Sequence, residues 1–249
     1  MLSDGESIAK RCAEVLCLTG ATLSDEYYYG SLTCCVIDAV FSIGVRYEGV
    51  KAVVKRYCDY CGIQQVRADR NNLPPTSQQE SIGALCQRFD AVGLEGMADR
   101  VFGNRQRTST RSGILKSEAV RRFAAVLHAH RIEYLQDIVT RFPSASIEDE
   151  IRAIPGQKSG ISFQYFWMLA GSDDLIKPDR MISRFLENTL GRVVNAAEAQ
   201  PLLKIAADLL RSSYPQLTPG LLDSKIWEYQ RGRPLNQTLG RHRVFAAQS

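Results

Sequence analysis

The stretch 147–179 constrains the fold of this chain more than any other. Three isoleucines recur at helical spacing from Ile147, behind a predicted N-cap at Ser146, and Pro155 ends that helix. The turn 155–160, PGQKSG, follows, and residues 161–170, ISFQYFWMLA, are almost all apolar or aromatic. This pattern predicts two helices joined by a tight turn, the second helix being buried on most sides.

The turn has the chemistry of a phosphate site. Glycine permits left-handed backbone and close approach to the main chain, and a helix N-terminus offers free N–H groups and a positive dipole end. Lys158 adds a positive charge at the same place. The candidates for binding a phosphate are Gly156, Gln157, Lys158, Ser159 and Gly160. An ordinary helical hairpin with a Pro-Gly turn is the alternative interpretation.

A second helix signal lies beyond the apolar segment. After a polar loop, Lys177-Pro178-Asp179 precedes an apolar stripe in residues 180–190, which predicts a helix with Asp179 as its N-cap. Asp is a favoured N-cap in any helical protein, so capping alone is the interpretation that these residues support by themselves.

Together these segments resemble the helix-hairpin-helix DNA glycosylase superfamily (HhH-GPD), which includes endonuclease III and the 3-methyladenine glycosylases. The family's hairpin reads Leu-Pro-Gly-x-Gly-x-x-Thr-Ala, with a catalytic Asp about twenty residues later at a helix start. Ile154-Pro155-Gly156 matches the opening, and Asp179 matches the acid. Lys158 stands in place of the second hairpin glycine, and Gly160 stands where bifunctional members carry a catalytic lysine.

Two other segments are similar to the same family. Residues 113–119, GILKSEA, resemble its Gly-aromatic-x-x-x-Lys-Ala entry to the helix before the hairpin. Residues 35–56 resemble its early helix pair, whose connecting turn inserts a side chain into the duplex where the base has left. The resemblance makes Ile43, Arg46 and Tyr47 the wedge candidates, although a plain helix-helix turn is an equal interpretation.

The resemblance implies a monofunctional DNA glycosylase that flips out a damaged or modified base and hydrolyses its N-glycosidic bond. Asp179 is the implied catalytic residue, and the abasic product is expected without strand cleavage because Gly160 supplies no amine. A non-catalytic helix-hairpin-helix DNA-binding protein is the alternative function, and a helical protein-interaction scaffold is a third. The excised base is not readable from the sequence.

Aromatic residues in two places are candidates for a base pocket. Three adjacent tyrosines at 27–29 cannot all point into a core from one regular element, so Tyr28 and Tyr29 are candidates for lining a cleft. Packing of these tyrosines under the next helix is the alternative. Phe163, Tyr165 and Trp167 are the others, although aromatic residues on a buried helix are more often core.

Basic residues are concentrated before the turn. The segment 103–131 holds seven Arg and Lys residues against a single Glu, in a chain whose formal net charge is only +4. Such a concentration is typical of a surface that binds a polyanion, and a solvated basic face is the alternative. Arg105, Arg107, Arg111 and Lys116 are the candidate DNA-phosphate ligands.

The chain has 45% hydrophobic and 23% charged residues, which is typical of a globular protein. No run approaches the twenty apolar residues of a membrane span, so we expect a cytoplasmic protein that does not associate with a membrane. The resemblance implies double-stranded DNA as the partner, and we expect a monomer. All seven cysteines precede residue 87 and are expected to be reduced thiols. We expect no metal and no cofactor: the family's C-terminal iron–sulfur cysteines are missing, although the resemblance allows a monovalent cation at the hairpin.

No segment alternates as a strand does, which predicts an all-α fold. The resemblance divides this fold into two helical domains with a cleft between them. A six-helix domain would span 30–171 and end in the hairpin, and the two chain ends, 1–29 and 172–249, would form the second.

Overall fold

The fold is all-α. A computed structural model describes residues 3–45, 47–140 and 144–232, and it is 61% helical with no strand in those ranges. Two isolated bridges, Tyr29 with Val66 and Arg107 with Leu115, are the extended pairings found there. The predicted fold class is therefore confirmed at the level of helix content.

Twelve α-helices occur in the described ranges, and shorter 3₁₀ and π turns lie between some of them. In chain order the helices are α1 (Asp4–Val15), α2 (Leu32–Phe41), α3 (Tyr47–Cys61), α4 (Ile82–Val92), α5 (Leu94–Gly96), α6 (Lys116–Ala129), α7 (Leu135–Thr140), α8 (Ala145–Arg152), α9 (Ile161–Leu169), α10 (Arg180–Leu190), α11 (Ala196–Leu210) and α12 (Pro219–Arg231).

The helices group into two compact units. The inner unit is Leu23–Lys177, and the terminal unit joins Met1–Thr22 to Pro178–Ser249, of which residues 3–22 and 178–232 are described. The division into domains at residues 30 and 171 stays a prediction.

The core of the inner unit is built on α2. Every residue of α2 is buried, and the helix packs against α3, α6 and α9. Helix α9 is almost as completely buried, as its composition predicts, and Phe166 on α9 packs against Phe123 of α6 with ring centroids 5.3 Å apart. Helices without a polar face must be covered on all sides, which places both in the interior.

The terminal unit is a small helical bundle. Helix α1 packs against α10 and α11, and α12 packs against the same two helices. Helix α10 contributes an apolar stripe of Ile182, Phe185 and Leu186. The helix starts are fixed by side-chain caps, with a capping box at both Ser3 and Asn195.

Helix α8 begins two residues before the predicted position. Ser144, rather than Ser146, is the N-cap, because its hydroxyl accepts the backbone N–H of Ile147 at 3.3 Å. Ser146 lies inside the first turn and its hydroxyl meets that of Ser144. Both serines are good caps, so only the backbone geometry distinguishes them.

Candidate functional site

The segment between α8 and α9 is a compact turn closed by its own backbone. The amide of Gln157 donates to the carbonyl of Ile154, and the amide of Gly160 donates to that of Gln157, both at 2.9 Å. Gly156 and Gly160 have φ angles of +88° and +74°, which place both in the left-handed region. The two helices and the tight turn predicted from the sequence are therefore present.

The space beside Gly156 is filled by the protein itself. A methyl group added at Gly156 would lie 2.3 Å from Cβ of Thr108 and 2.6 Å from its hydroxyl oxygen. The close approach that the glycine permits is thus made by the basic segment of the inner unit. Gly156 joins the turn to the loop that holds Thr108, and this contact explains the glycine without a ligand.

The tip of the turn is exposed and holds free donors. Lys158 and Ser159 are both exposed, and neither their backbone amides nor the Lys158 ammonium group donates to an acceptor among the described residues. The hydroxyl of Ser159 accepts the N–H of Ile161 weakly, at 3.4 Å. These donors lie at the N-terminus of α9, where the helix dipole favours an anion.

Gln157 faces inward. Its side chain is only 2% exposed, and its carbonyl oxygen accepts the hydroxyl of Ser162. The side-chain nitrogen of Gln157, Nε2, has no hydrogen-bond partner in the part of the chain that the structure describes. The side chain of Gln157 therefore supports the turn from within, and a phosphate at the tip would meet Lys158 and Ser159.

Asp179 caps α10 with one carboxylate oxygen. Oδ1 accepts the backbone N–H groups of Met181 at 2.7 Å and Ile182 at 3.3 Å. Its second oxygen, Oδ2, makes no hydrogen bond or ion pair to any described residue, and the side chain is partly exposed. The predicted cap is confirmed, and the capping bonds hold the carboxylate through Oδ1 alone.

The arginines of the basic segment differ in their surroundings. Arg105 forms ion pairs with Glu95 and Asp99, while Arg107 donates to the carbonyl of Gly113 at 2.7 Å. Arg111 is exposed and forms no ion pair with a described residue. The Arg105 pairs are exposed, so each contributes little to stability and a phosphate can compete for the guanidinium group.

Lys116 lies in the interior, which does not fit its predicted role as a phosphate ligand. The side chain is 2% exposed, and its ammonium group donates to the carbonyls of Phe41 at 2.8 Å and Ile43 at 2.7 Å. A long side chain at a helix start was read from the sequence as a surface charge. The fold instead directs it across to the end of α2.

The turn between α2 and α3 contains the wedge candidates. Ile43 is partly exposed, and the next residue, Gly44, has a φ of +71°. Arg46 lies outside the described residues. Tyr47 is buried, and its hydroxyl donates to Asp38 at 3.1 Å, so its position does not fit insertion into a duplex. Ile43 is the remaining wedge candidate whose surroundings are described.

A cavity of about 350 Å³ opens beside this turn. It is lined by Phe41, Gly44, Val45, Gly49, Val50, Asn104 and Gln106. The lining residues therefore come from the end of α2, the α2–α3 turn, the first turns of α3 and the loop before α6. Another pocket, in the terminal unit, is lined by Ser7, Lys10, Arg11, Glu14, Phe185, Asn188, Thr189, Tyr229 and Gln230.

The aromatic pocket candidates mostly belong to the core. Phe163 and Trp167 pack edge to face with their ring centroids 6.1 Å apart, and both are buried. Tyr29 and Tyr165 are also buried. Tyr28 is partly exposed, and the guanidinium carbon of Arg70 lies 4.8 Å from its ring centroid. The core interpretation fits Phe163 and Trp167, and only Tyr28 presents a ring near the surface.

A buried polar cluster in the inner unit was missed by the sequence reasoning. Asp38 is fully buried in α2, and its Oδ2 accepts the hydroxyls of Tyr29 at 2.8 Å and Tyr47 at 3.1 Å. The ammonium group of Lys177 lies 3.5 Å from the ring centroid of Tyr165 and donates to Ser42. A lone Asp in the otherwise uncharged helix 32–41 was the signal that could have revealed it.

Two buried carboxylate oxygens, one on Asp38 and one on Glu26, which acts electrostatically on Asp38, lack hydrogen bonds within the described ranges. Oδ1 of Asp38 and Oε2 of Glu26 are buried and have no hydrogen-bond partner among the described residues. Burial raises the pKa of Asp38 to about 6, although Lys177 and the two tyrosine hydroxyls oppose the shift. A carboxylate in such a place costs free energy that Lys177 only partly offsets.

Metal sites require particular arrangements of cysteines and other ligands, and membrane spans require helices of sufficient length. Within the described ranges, no group of three or more His, Cys, Asp or Glu side chains is arranged to hold a metal ion. All seven cysteines are free thiols, with the sulfurs of Cys34 and Cys58 3.5 Å apart. No helix in those ranges has both the length and the apolar character needed to cross a bilayer.

Comparisons with known proteins give a family but no activity. No curated protein matches the chain, and no solved structure matches it. A family model described as a domain of unknown function, DUF8548, matches residues 6–231. The match covers both units except for a few residues at the start and those after 231. The chain therefore belongs to the DUF8548 family.

Proposed function

We propose that this chain is a monofunctional DNA glycosylase, with the helix-hairpin-helix architecture that its sequence resembles. The observation that carries the proposal is Asp179, held at the start of α10 by two backbone N–H groups with Oδ2 unengaged by any described residue. It stands in the chain where the family's catalytic acid stands, after the Ile154-Pro155-Gly156 turn and the apolar α9.

Hydrolysis of an N-glycosidic bond is accelerated by a carboxylate near the sugar. When a flipped base leaves its sugar, positive charge develops on the deoxyribose, as it does in glycoside hydrolysis. An ionised Asp179 next to the sugar stabilises that charge and orients the attacking water. Since the capping bonds fix the carboxylate before substrate arrives, little reorganisation is needed when the charge develops.

In this proposal the turn 155–160 binds a phosphate of the DNA backbone. Lys158 and Ser159 are exposed in the turn that leads into α9, and their backbone amides have no acceptor among the described residues. A DNA phosphate bound there gains charge-assisted hydrogen bonds and the favourable end of the helix dipole. Arg107 and Arg111 offer additional phosphate contacts through N–H groups that no described carboxylate occupies.

The proposed product is an abasic site without strand cleavage. A Schiff-base lyase needs an uncharged lysine amine at the sugar carbon, and Gly160 has no side chain to provide one. Lys158 is the exposed lysine of the turn, so it is the residue to test. Borohydride trapping of a protein–DNA adduct that disappears in Lys158→Ala would contradict the monofunctional assignment.

The second candidate function is a non-catalytic DNA-binding protein with the same turn. It is favoured by Lys158 in place of the second hairpin glycine and by Gly160 in place of the catalytic lysine of bifunctional members, since both depart from the family pattern. This alternative predicts salt-dependent DNA affinity with no release of any base.

The test is a survey of released bases. The protein is incubated with duplex DNA carrying alkylated, deaminated, oxidised or enzymatically modified bases, and mass spectrometry identifies any free base. Asp179→Asn, which keeps an N-capping oxygen, should slow release by about 10²- to 10³-fold while retaining DNA affinity. Asp208→Asn is the matched control, because it removes an exposed carboxylate that pairs only with Arg211 in the described structure. DNA binding with no base released from any substrate would favour the second function.

A further inference from the structure

Lys116 occupies an unusual position for a cation. It is the first residue of α6, yet its ammonium group reaches the carbonyls of Phe41 and Ile43, at 2.8 and 2.7 Å. Phe41 is the last residue of α2, and Ile43 lies in the turn that leads to α3. A single buried ammonium group therefore bridges the end of a helix to the turn that follows it.

The two carbonyls explain why a charge is tolerated there. The last carbonyls of a helix accept no hydrogen bond from an amide of the same helix, and they form the negative end of the helix dipole. No carboxylate of the described residues forms an ion pair with Lys116, so these carbonyls and the Phe41 ring, whose centroid lies 6.0 Å away, are its compensation. The interaction is thus directed specifically at the α2–α3 turn.

The backbone of Lys116 is bonded to the loop before α6, which contributes to the cavity beside the α2–α3 turn. Its amide donates to the carbonyl of Gln106 at 2.8 Å, and the amide of Thr108 donates to that of Ile114 at 2.9 Å. Gln106 and Phe41 both line the 350 Å³ cavity. Lys116 is therefore bonded to two of its lining residues, to Gln106 through its main chain and to Phe41 through its ammonium group.

We propose that Lys116 is a positioning residue for DNA engagement, whose ammonium group fixes the α2–α3 turn in the conformation that presents Ile43 to the duplex. This inference rests on the proposed function, because it assigns Ile43 the task of filling the space that a flipped nucleotide leaves. Lys116 itself does not touch DNA. It acts through the turn, and this role replaces the phosphate contact expected from the sequence.

The environment of Lys116 makes this role sensitive to pH. Burial, and to a lesser degree the charge of Lys177, lower the pKa of Lys116 to about 8. Among the described residues, Lys177 is the charged group that acts on it. Above that pH the amine is neutral, its hydrogen bonds to the two carbonyls weaken, and the turn is held less firmly.

The first experiment follows the free protein. The side-chain methyl resonance of Ile43 is recorded by NMR from pH 6.5 to 9.5 in the wild type and in Lys116→Met. We expect a titration with a midpoint near pH 8 that is absent in the variant. An Ile43 resonance that shifts identically in both proteins would overturn the coupling of Lys116 to the turn.

The second experiment measures how strongly the protein prefers a duplex with one tetrahydrofuran abasic-site analogue over an intact duplex. Lys116→Met should reduce this preference about tenfold, since two charge-assisted hydrogen bonds are lost from the turn. In an Ile43→Ala background the same substitution should have no further effect. Loss of general stability would instead weaken binding to both duplexes and in both backgrounds, and that result would overturn the proposal.

The outcomes separate this inference from the proposed function. A preference for the tetrahydrofuran duplex that is unchanged in Lys116→Met and in Ile43→Ala would refute the positioning role and leave the glycosylase proposal standing. No preference for that duplex in the wild type, together with no released base, would refute the proposed function itself. A preference that falls in Lys116→Met and with rising pH near 8 supports both.

Discussion

Replacing Gly156 by alanine tests whether the turn is built around its contact with the basic segment. Two effects add at this position. The φ of +88° places a non-glycine residue in a strained region, at about 1–2 kcal/mol, and the new methyl group would lie 2.3 Å from Cβ of Thr108. Overpacking of this kind costs roughly 1–3 kcal/mol, so Gly156→Ala should lower the free energy of unfolding by about 2–5 kcal/mol.

Gly44 provides the matched control. Its φ of +71° carries a similar backbone strain, but a methyl group added there would meet nothing within 4 Å. Gly44→Ala should therefore cost only the backbone part, about 1–2 kcal/mol. The difference between the two substitutions isolates the clash with Thr108.

Urea denaturation followed by circular dichroism measures these free energies. In a Thr108→Gly background the Gly156→Ala penalty should fall towards that of Gly44→Ala, because the side chain in the way has been removed. Equal losses for Gly156→Ala and Gly44→Ala in the wild-type background would refute the reasoning. The loop would then have moved aside without cost, and Gly156 would serve the turn only through its backbone.

Two other predictions concern the buried cluster and the turn. In the folded protein the pKa of Asp38 is about 6, above its ordinary value of 3.8, so its contribution to stability is present below about pH 4 and is lost as pH rises through 6. The free energy of unfolding of the wild type should therefore fall by about 3 kcal/mol between pH 4 and 7 in urea denaturation, and Asp38→Asn should remove this fall. The same fall in Asp38→Asn and in the wild type would contradict the prediction. Lys158→Ala should lower the slope of log affinity for duplex DNA against log salt by about one, whereas the exposed Lys55→Ala should leave it unchanged; equal slopes for all three proteins would exclude a phosphate at Lys158.

The sequence is most informative where a local signal decides the structure. Helix α10 begins after Asp179 and ends before Gly191, as predicted, because an Asp cap and a glycine in left-handed conformation are both local features. The burial of α9 follows equally directly from a helix with no polar face. The start of α8 was misplaced since Ser144 and Ser146 are chemically equivalent caps.

The candidate site depends on contacts that no local pattern contains. Seven basic residues close together in sequence predicted one basic surface, but Lys116 turns inward to α2 and Arg105 pairs with Glu95 and Asp99. The role of Gly156 was assigned to a ligand, whereas Thr108, forty-eight positions earlier, is what it accommodates. The surroundings of these residues depend on how segments distant in sequence pack together. The number of charged residues in a segment does not indicate that packing.

The buried cluster shows the same limit. Asp38 was visible as the one charged residue of an apolar helix, but its partners Tyr29 and Tyr47 come from two other segments. Lys177, which lowers the pKa of Asp38, is more than one hundred residues away in sequence. A single sequence identifies such a residue as unusual without identifying what surrounds it.

The rate of base release by Asp179→Asn tests the central claim most directly. With duplex DNA carrying the base that the survey identifies, single-turnover release should fall by about 10²- to 10³-fold, while affinity for the same DNA and the free energy of unfolding stay within error of the wild type. Asparagine can still accept the N–H groups of Met181 and Ile182, so only the charge is lost. Release by Asp179→Asn at the rate of the wild type and of Asp208→Asn would contradict the account.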